Sequence, residues 1–455
     1  AVKTRQQVAA AEGKVTVDFY LINEKNVRGN HQLKISVTDY QGKVMEVGTY
    51  ETEAAGGEVY GQLLVKDVKI PVPTAGGLCR IEAKLCKENS VVTTGYDDIL
   101  SVNLASNMLD GKGAVWEDGS ALQNFLKGKT KEAVAAYEDN LGKLDWIMVA
   151  RPPRKDQLTM VPMEALRSAD GKPGLDVVYY EDMEFQKEVY HEVAKVVNLS
   201  AIEGATPSPF VYMLDGYGIK WSGKLLPSVS GEYTIIPQSN DRSMIEVFVN
   251  GKKIYEITRK KEHLGDGKVY LEGGKSADIE IRFRHPRSNA RCRLDWAVPN
   301  DKMPDAQRLM ERAVNDGTKI FIIQSADEWS EFIAANSKVV FKDKFFVGTN
   351  WLGGVMFNKP HDIFKELPVG NALNWPYQAL IHTGVERMGL VMEGEELLVG
   401  AYHTYPMAIG TAMGIVPMGK GSVLFSTLDI YGNIINDSAA GLVAKKLIFN
   451  MIDFK

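Results

Sequence analysis

Gly218-Ile-Lys-Trp-Ser-Gly-Lys-Leu225, Gly231-Glu-Tyr-Thr-Ile-Ile236, Ser239-Asn-Asp-Arg-Ser-Met-Ile-Glu-Val-Phe-Val-Asn-Gly-Lys252 and Asp278-Ile-Glu-Ile-Arg-Phe-Arg284 alternate inward and outward residues. A period of two is that of a strand with one buried and one wet face. Ile279, Ile281 and Phe283 line one face against Glu280, Arg282 and Arg284. Asn250-Gly251 supplies the two residues that most readily take positive φ, as a tight type I′ hairpin requires. Between Gly218 and Trp296 the chain therefore writes a two-sheet β domain, and it does so inside a region of different texture.

Upstream, Val15, Val17, Phe19 and Leu21 alternate with their neighbours, as do Leu33, Ile35 and Val37, and Cys79, Ile81, Ala83 and Leu85. Residues 13–103 thus read as an all-β unit. From Leu104 strands and helices alternate: Gly113 to Trp116 as a strand, Thr130 to Asn140 as a helix, Leu144 to Ala150 as an apolar strand, halted by Pro152-Pro153. That is α/β writing. It resumes beyond the β stretch with a helix from Pro304 to Val314 closed by Gly317, a buried strand Lys319 to Ile323, and a helix Asp327 to Ala335. Four candidate strands follow between Met388 and Leu428, and Asp437-Ser438 caps a last helix carrying Leu442, Val443, Leu447 and Met451 on one side. The expected domains are 1–103, a discontinuous α/β unit of 104–153 and 301–455, and an inserted sandwich of 154–300.

Three resemblances accompany this reading. The stretch opening at Asp170-Gly-Lys-Pro-Gly-Leu-Asp-Val-Val-Tyr-Tyr180 and closing at Arg293-Leu-Asp-Trp296 is similar to the protective-antigen-type β-sandwich of glycosidases, adhesins and bacterial toxins. There a Trp-x-Gly strand leads to Gly-x-Tyr and an Asp-containing turn before an Asn-Gly or Asp-Gly hairpin. Residues 17–33, Val-Asp-Phe-Tyr-Leu-Ile-Asn-Glu-Lys-Asn-Val-Arg-Gly-Asn-His-Gln-Leu, resemble the immunoglobulin-like accessory sandwich that follows the catalytic barrel in glycoside hydrolase family two. The discontinuous unit resembles the flavodoxin-like α/β fold of class I amidotransferases and of β-galactosidase trimerisation domains, on Gly419-Lys-Gly-Ser-Val-Leu-Phe-Ser-Thr-Leu-Asp429 and the helix carrying Asn450. Amidotransferase chemistry needs a Cys on a strand-to-helix turn. This unit has none, since the three cysteines are Cys79, Cys86 and Cys292.

Together the resemblances imply a multidomain α+β chain that is the noncatalytic C-terminal accessory portion of a family-two-like, β-galactosidase-like hydrolase. Its roles would be carbohydrate binding, positioning of the barrel, or oligomerisation. The alternative is a stand-alone carbohydrate-binding or adhesion protein. The implied partners are a polysaccharide or oligosaccharide and the catalytic barrel of the parent chain, with a homo-oligomer left open. The implied location is periplasmic or extracellular.

Composition bounds the partners. The chain has 455 residues, 45% hydrophobic and 24% charged, with a formal net charge of -5, so it offers no basic field for nucleic acid. No stretch approaches the ~18 uninterrupted apolar residues of a membrane span. The start, Ala1-Val-Lys-Thr-Arg5, lacks an initiator Met and an apolar leader, and reads as cut from something longer. Cys79 falls in phase with buried positions, as a structural thiol does.

Chemistry is sparse. Asn23-Glu24 matches the acid/base dipeptide of family-two enzymes, but no eightfold β/α repeat surrounds it. His191-Glu192 begins like a zinc-protease helix, yet Lys195 stands where the second His belongs. In calcium-dependent members of the protective-antigen-type family the turn carries two adjacent aspartates. Here Asn240, Asp241 and Arg242 occupy it, so Asp241 is the one carboxylate left to a metal. A hard cation wants several anionic oxygens. Calcium is disfavoured, and no other cofactor is expected. Sugar hydroxyls can instead be held by Asn240, Asp241 and Arg242, and pyranose faces by exposed rings among Trp351, Trp375 and Tyr377. Trp221 and Trp296 match core positions of the resemblance and should be buried.

Overall fold

The computed structural model describes residues 1–57, 59–88, 90–104, 108–153, 158–201, 216–239, 242–286, 290–299, 304–348, 354–382, 388–404, 407–435 and 439–454. Strands dominate it. The chain divides into two compact units, one of Ala1–Leu109, Phe357–Ala379 and Asn436–Lys455, the other of Asp110–Met356 and Leu380–Ile435.

In the first unit Val2–Thr4, Lys14–Ile22 and Gly61–Pro71 make a three-stranded sheet, and Val8–Ala10, Ser90–Val102, Gly77–Lys87, Gly29–Thr38 and Val44–Ala54 a five-stranded one. The alternation read from sequence is the reason: Val17, Phe19, Leu33, Ile35, Ile81 and Leu85 are buried together in one core. Cys79 is buried in the same core, and desolvation pushes its thiol up to about 11. The last helix, Ala439–Asp453, also belongs to this unit. Its Asn450 amide donates to the carbonyls of Ile363 and Lys365, both at 2.9 Å, and Lys446 Nζ donates to Glu366 Oε2 at 2.6 Å. This differs from the sequence reading, which gave the helix to the α/β sheet. An apolar stripe says that a helix is covered, and only the buried polar groups say by what.

The second unit holds a sheet ordered Ala135–Ala136, Gly113–Glu117, Trp146–Ala150, Lys319–Ile322, Gly421–Ser426, Ala408–Met418, Met388–Glu393 and Val340–Phe346. The first five strands are parallel. Trp146 to Val149 pair directly with Lys319 to Ile322, so the sheet closes across everything between them. The helix Ala306–Asp316 is capped by Asp305, whose side chain accepts from the Gln307 N–H at 2.7 Å, and Gly317 ends it at φ 78°. The helix expected over Thr130 to Asn140 does not form. Ala135 and Ala136 pair with Ala114 and Val115, and Tyr137 packs on Trp116 with ring centroids 5.7 Å apart. Sheet pairing there overrides helix propensity.

The intervening residues build two further sheets. One runs Thr159–Met160, Ala290–Ala297, Gly231–Ser239, Lys268–Leu271, with Asn198–Ala201 on the second strand. The other runs Glu188–Ala194, Leu175–Tyr180, Tyr217–Leu225, Ala277–His285, Met244–Val249, Lys252–Ile257, His263–Leu264. Trp221, Tyr233, Ile281, Phe283, Leu294 and Trp296 share their core, with each tryptophan 3% exposed. Asn250 and Gly251 take φ of 48° and 76°, the positive-φ pair that a tight hairpin requires and that Asn and Gly most readily adopt.

Candidate functional site

The turn that leaves Gly231–Ser239 and enters Met244–Val249 passes from one sheet of the insertion to the other. Of its expected site residues, Asn240 and Asp241 lie outside the described residues, as does Trp351. Arg242 is exposed and sits at φ 81°, a left-handed conformation that is strained for a side chain of this size. The turn is fixed from below. Ser243 is buried, and its Oγ shares a 3.1 Å hydrogen bond with Nδ1 of His285, itself 1% exposed. The imidazole stacks on Phe283 at 5.9 Å with planes 6° apart. Beside it, Arg284 binds Glu246 at 2.9 Å and lies 4.7 Å over the Phe185 ring, while Lys253 reaches Glu246 at 3.2 Å. The Arg284 and Lys253 cations hold the Glu246 carboxyl below its ordinary range despite partial burial. Tyr217, next to His285, has a buried hydroxyl with no hydrogen-bond partner among the described residues, and burial pushes its pKa up. Buried polar and aromatic contacts thus lie directly behind the exposed Arg242.

Residues 171–308 match the PA14 domain family. A curated relative, the anti-sigma-I factor RsgI3 of Acetivibrio thermocellus, is 27% identical over 127 residues. That alignment covers 27% of this chain and 19% of the relative, so the chain spans about a fifth of that protein's length. Among solved structures, a β-glucosidase from Kluyveromyces marxianus superposes with a TM-score of 0.35 at 11% identity, over 50% of this chain and 30% of the other. A PA14 sugar-binding domain from an RTX adhesin gives a TM-score of 0.20 at 16% identity, over 27% of this chain and 88% of the other.

The other expected residues separate. Tyr377 is 2% exposed and is no stacking surface: its hydroxyl donates to the Pro368 carbonyl at 2.6 Å and accepts from Asn358 Nδ2 at 3.3 Å. Trp375, two residues earlier in the same 3-10 turn, is partly exposed. Glu24 is an exposed turn residue touched by the Tyr60 hydroxyl at 3.3 Å, and Asn23 spends its amide on the Val27 backbone. His191 lies on the strand Glu188–Ala194, not on a helix. Among the described residues no group of three or more His, Cys, Asp or Glu side chains is placed to hold a metal ion. Nor is any helix long and apolar enough to cross a membrane.

Sequence reasoning passed over one more place, the carboxyl ends of the parallel strands, where open α/β sheets bind ligands. A pocket of about 50 Å³ there is lined by Gln324, Ser325, Asp429 and Tyr431, with Asn198 and Arg293 from the PA14 domain. Ser325 occupies the strand-to-helix turn at φ 53°, and no histidine is among the lining residues to activate it. The neighbouring acids are committed. Glu117 accepts from the backbone of Leu122 and Gln123, both at 3.1 Å, and from Tyr431 at 2.8 Å, while Asp118 takes Arg151 and Thr159. Burial raises the Glu117 pKa, and these bonds offset part of the rise. A strand followed by Gln-Ser before a helix was the available signal.

Proposed function

We propose that this chain is a carbohydrate-binding, noncatalytic portion of a glycan-handling protein, in which the PA14 domain presents Asn240, Asp241 and Arg242 to a polysaccharide or oligosaccharide outside the cell. The observation that carries this reading is the PA14 match over 171–308 together with the buried Ser243–His285 support beneath the turn. Amide, carboxylate and guanidinium together supply donors and acceptors for vicinal hydroxyls. The reading is supported further by the sugar-binding description of the adhesin's PA14 domain.

In this reading the parent protein is a family-two-like, β-galactosidase-like hydrolase whose barrel supplies the chemistry, and this chain is its accessory part. A stand-alone carbohydrate-binding or adhesion protein is favoured instead by one finding: a curated relative, 27% identical over 127 residues, is named an anti-sigma factor. A glycan array tests the shared claim. Retention of a glycan class that persists in chelator and falls at least tenfold in Asp241→Ala and Arg242→Ala is expected. Failure to retain any glycan, or binding indifferent to both substitutions, would refute it.

A further inference from the structure

Within the first unit a groove of about 120 Å³ opens beside Trp375, distant in sequence from the PA14 turn. Its floor is rigid. Asn358, 4% exposed, donates from Nδ2 to the Pro368 carbonyl at 2.8 Å and to the Tyr377 hydroxyl at 3.3 Å, and Tyr377 itself donates to Pro368 at 2.6 Å. The Phe364 ring meets Tyr377 edge-on with centroids 6.4 Å apart. These bonds tie Asn358 and Tyr377 to the Pro368 carbonyl beneath the rim. On the rim stand the partly exposed Trp375, Leu78 at 42% exposure, the exposed amide of Asn374, and Asp98. The Asn374 side chain does not cap the 3-10 turn that follows it. Asp98 is oriented by Arg80, which donates from Nε at 2.8 Å and Nη2 at 3.1 Å, while the guanidinium lies 4.1 Å over the Tyr96 ring.

We propose that this groove is a second carbohydrate site, taking one neutral pyranose ring with its C–H face on Trp375 and Leu78 and its hydroxyls on Asn374 and Asp98. An aromatic face beside an aliphatic one suits the apolar side of a sugar ring, whereas a flat aromatic ligand would have no use for the amide and carboxylate. A carboxylate already held in place by a guanidinium keeps lone pairs for hydroxyl donors. Asp98 and Arg80 cancel in charge, and an acidic sugar would meet the Asp98 oxygens directly, so the site selects a neutral ring.

The proposal rests on the carbohydrate reading, and the test separates the two. Methyl β-glycosides of glucose, galactose, mannose and N-acetylglucosamine are titrated into the full chain by saturation-transfer NMR, for wild type, Trp375→Ala, Trp375→Phe, Asp98→Asn and Arg242→Ala. At least one glycoside should bind wild type, weaken tenfold or more in Trp375→Ala, recover partly in Trp375→Phe, and weaken in Asp98→Asn; the signal that remains in Arg242→Ala is the one assigned to this groove. The thermal midpoint of Trp375→Phe controls for folding. Binding indifferent to the Trp375 variants overturns this site, as does binding of none of the four; array retention that depends on Arg242 would then leave the PA14 reading standing. Glycoside binding with no Arg242-dependent array signal would support this site while removing the PA14 turn.

Discussion

Arg242 combines backbone strain with a proposed glycan contact at a single residue. Its φ of 81° would cost a glycine nothing, so Arg242→Gly should raise stability by about 0.5–1 kcal/mol in urea denaturation while weakening glycan retention. A gain in both, or a loss of stability, would mean the guanidinium has another structural partner. Ser243→Ala removes the bond to His285 and should cost about 1 kcal/mol. Neither contact was legible in the sequence, because Ser243 and His285 are 42 residues apart and nothing local to either reports the other. The same holds for Trp375 and Tyr377: both read as aromatics in a loop, and only packing decides which ring is turned inward. One titration belongs at this scale too. Asp18 accepts from the Asp67 N–H at 2.8 Å and from Arg5, and these bonds hold its pKa below the ordinary 3.8. A carboxylate depressed in the folded state contributes stability above its unfolded pKa and loses it as pH falls through the folded one. The thermal midpoint should therefore fall as the pH drops below about 3.8, less steeply in Asp18→Asn; equal slopes would contradict the assignment.

Elements with a strong period were readable, and those decided by distant polar contacts were not. The strands Tyr217–Leu225, Gly231–Ser239 and Ala277–His285 emerge where alternation placed them, and the Asn250-Gly251 hairpin forms with the positive φ that Asn and Gly most readily adopt. Thr130 to Asn140 failed because a stretch of good helix formers found a parallel strand to join first. The helix Ala439–Asp453 was found, but its home was not. Lys446, with 5% of its side chain exposed, is paired at 2.6 Å with Glu366, 25% exposed, and this part-buried pair ties the helix to the segment Phe357–Ala379. Removing the carboxylate leaves the Lys446 ammonium with the Asn103 carbonyl as acceptor, so Glu366→Gln should cost about 2 kcal/mol. The double variant Glu366→Gln with Lys446→Met should recover most of that loss in urea titrations. Additive losses would show that the pair does not hold the helix.

At the scale of the whole molecule, the sequence disclosed an interruption: α/β writing that stops at Pro152-Pro153, yields to two β sheets, and resumes at Pro304. The pairing of Trp146 to Val149 with Lys319 to Ile322 joins the two halves in one sheet, and the PA14 match over 171–308 falls between these strands. What a glycan meets on this chain was less legible, because side-chain exposure at a turn or rim follows from tertiary packing. The account holds that the chain grips sugar without cutting it. The most direct measurement incubates the chain with the glycan best retained on the array and reads both complex and product by native mass spectrometry. The account predicts a bound glycan of unchanged mass, lost in Arg242→Ala. Release of a shortened sugar, abolished by substitution of a single carboxylate, would contradict it.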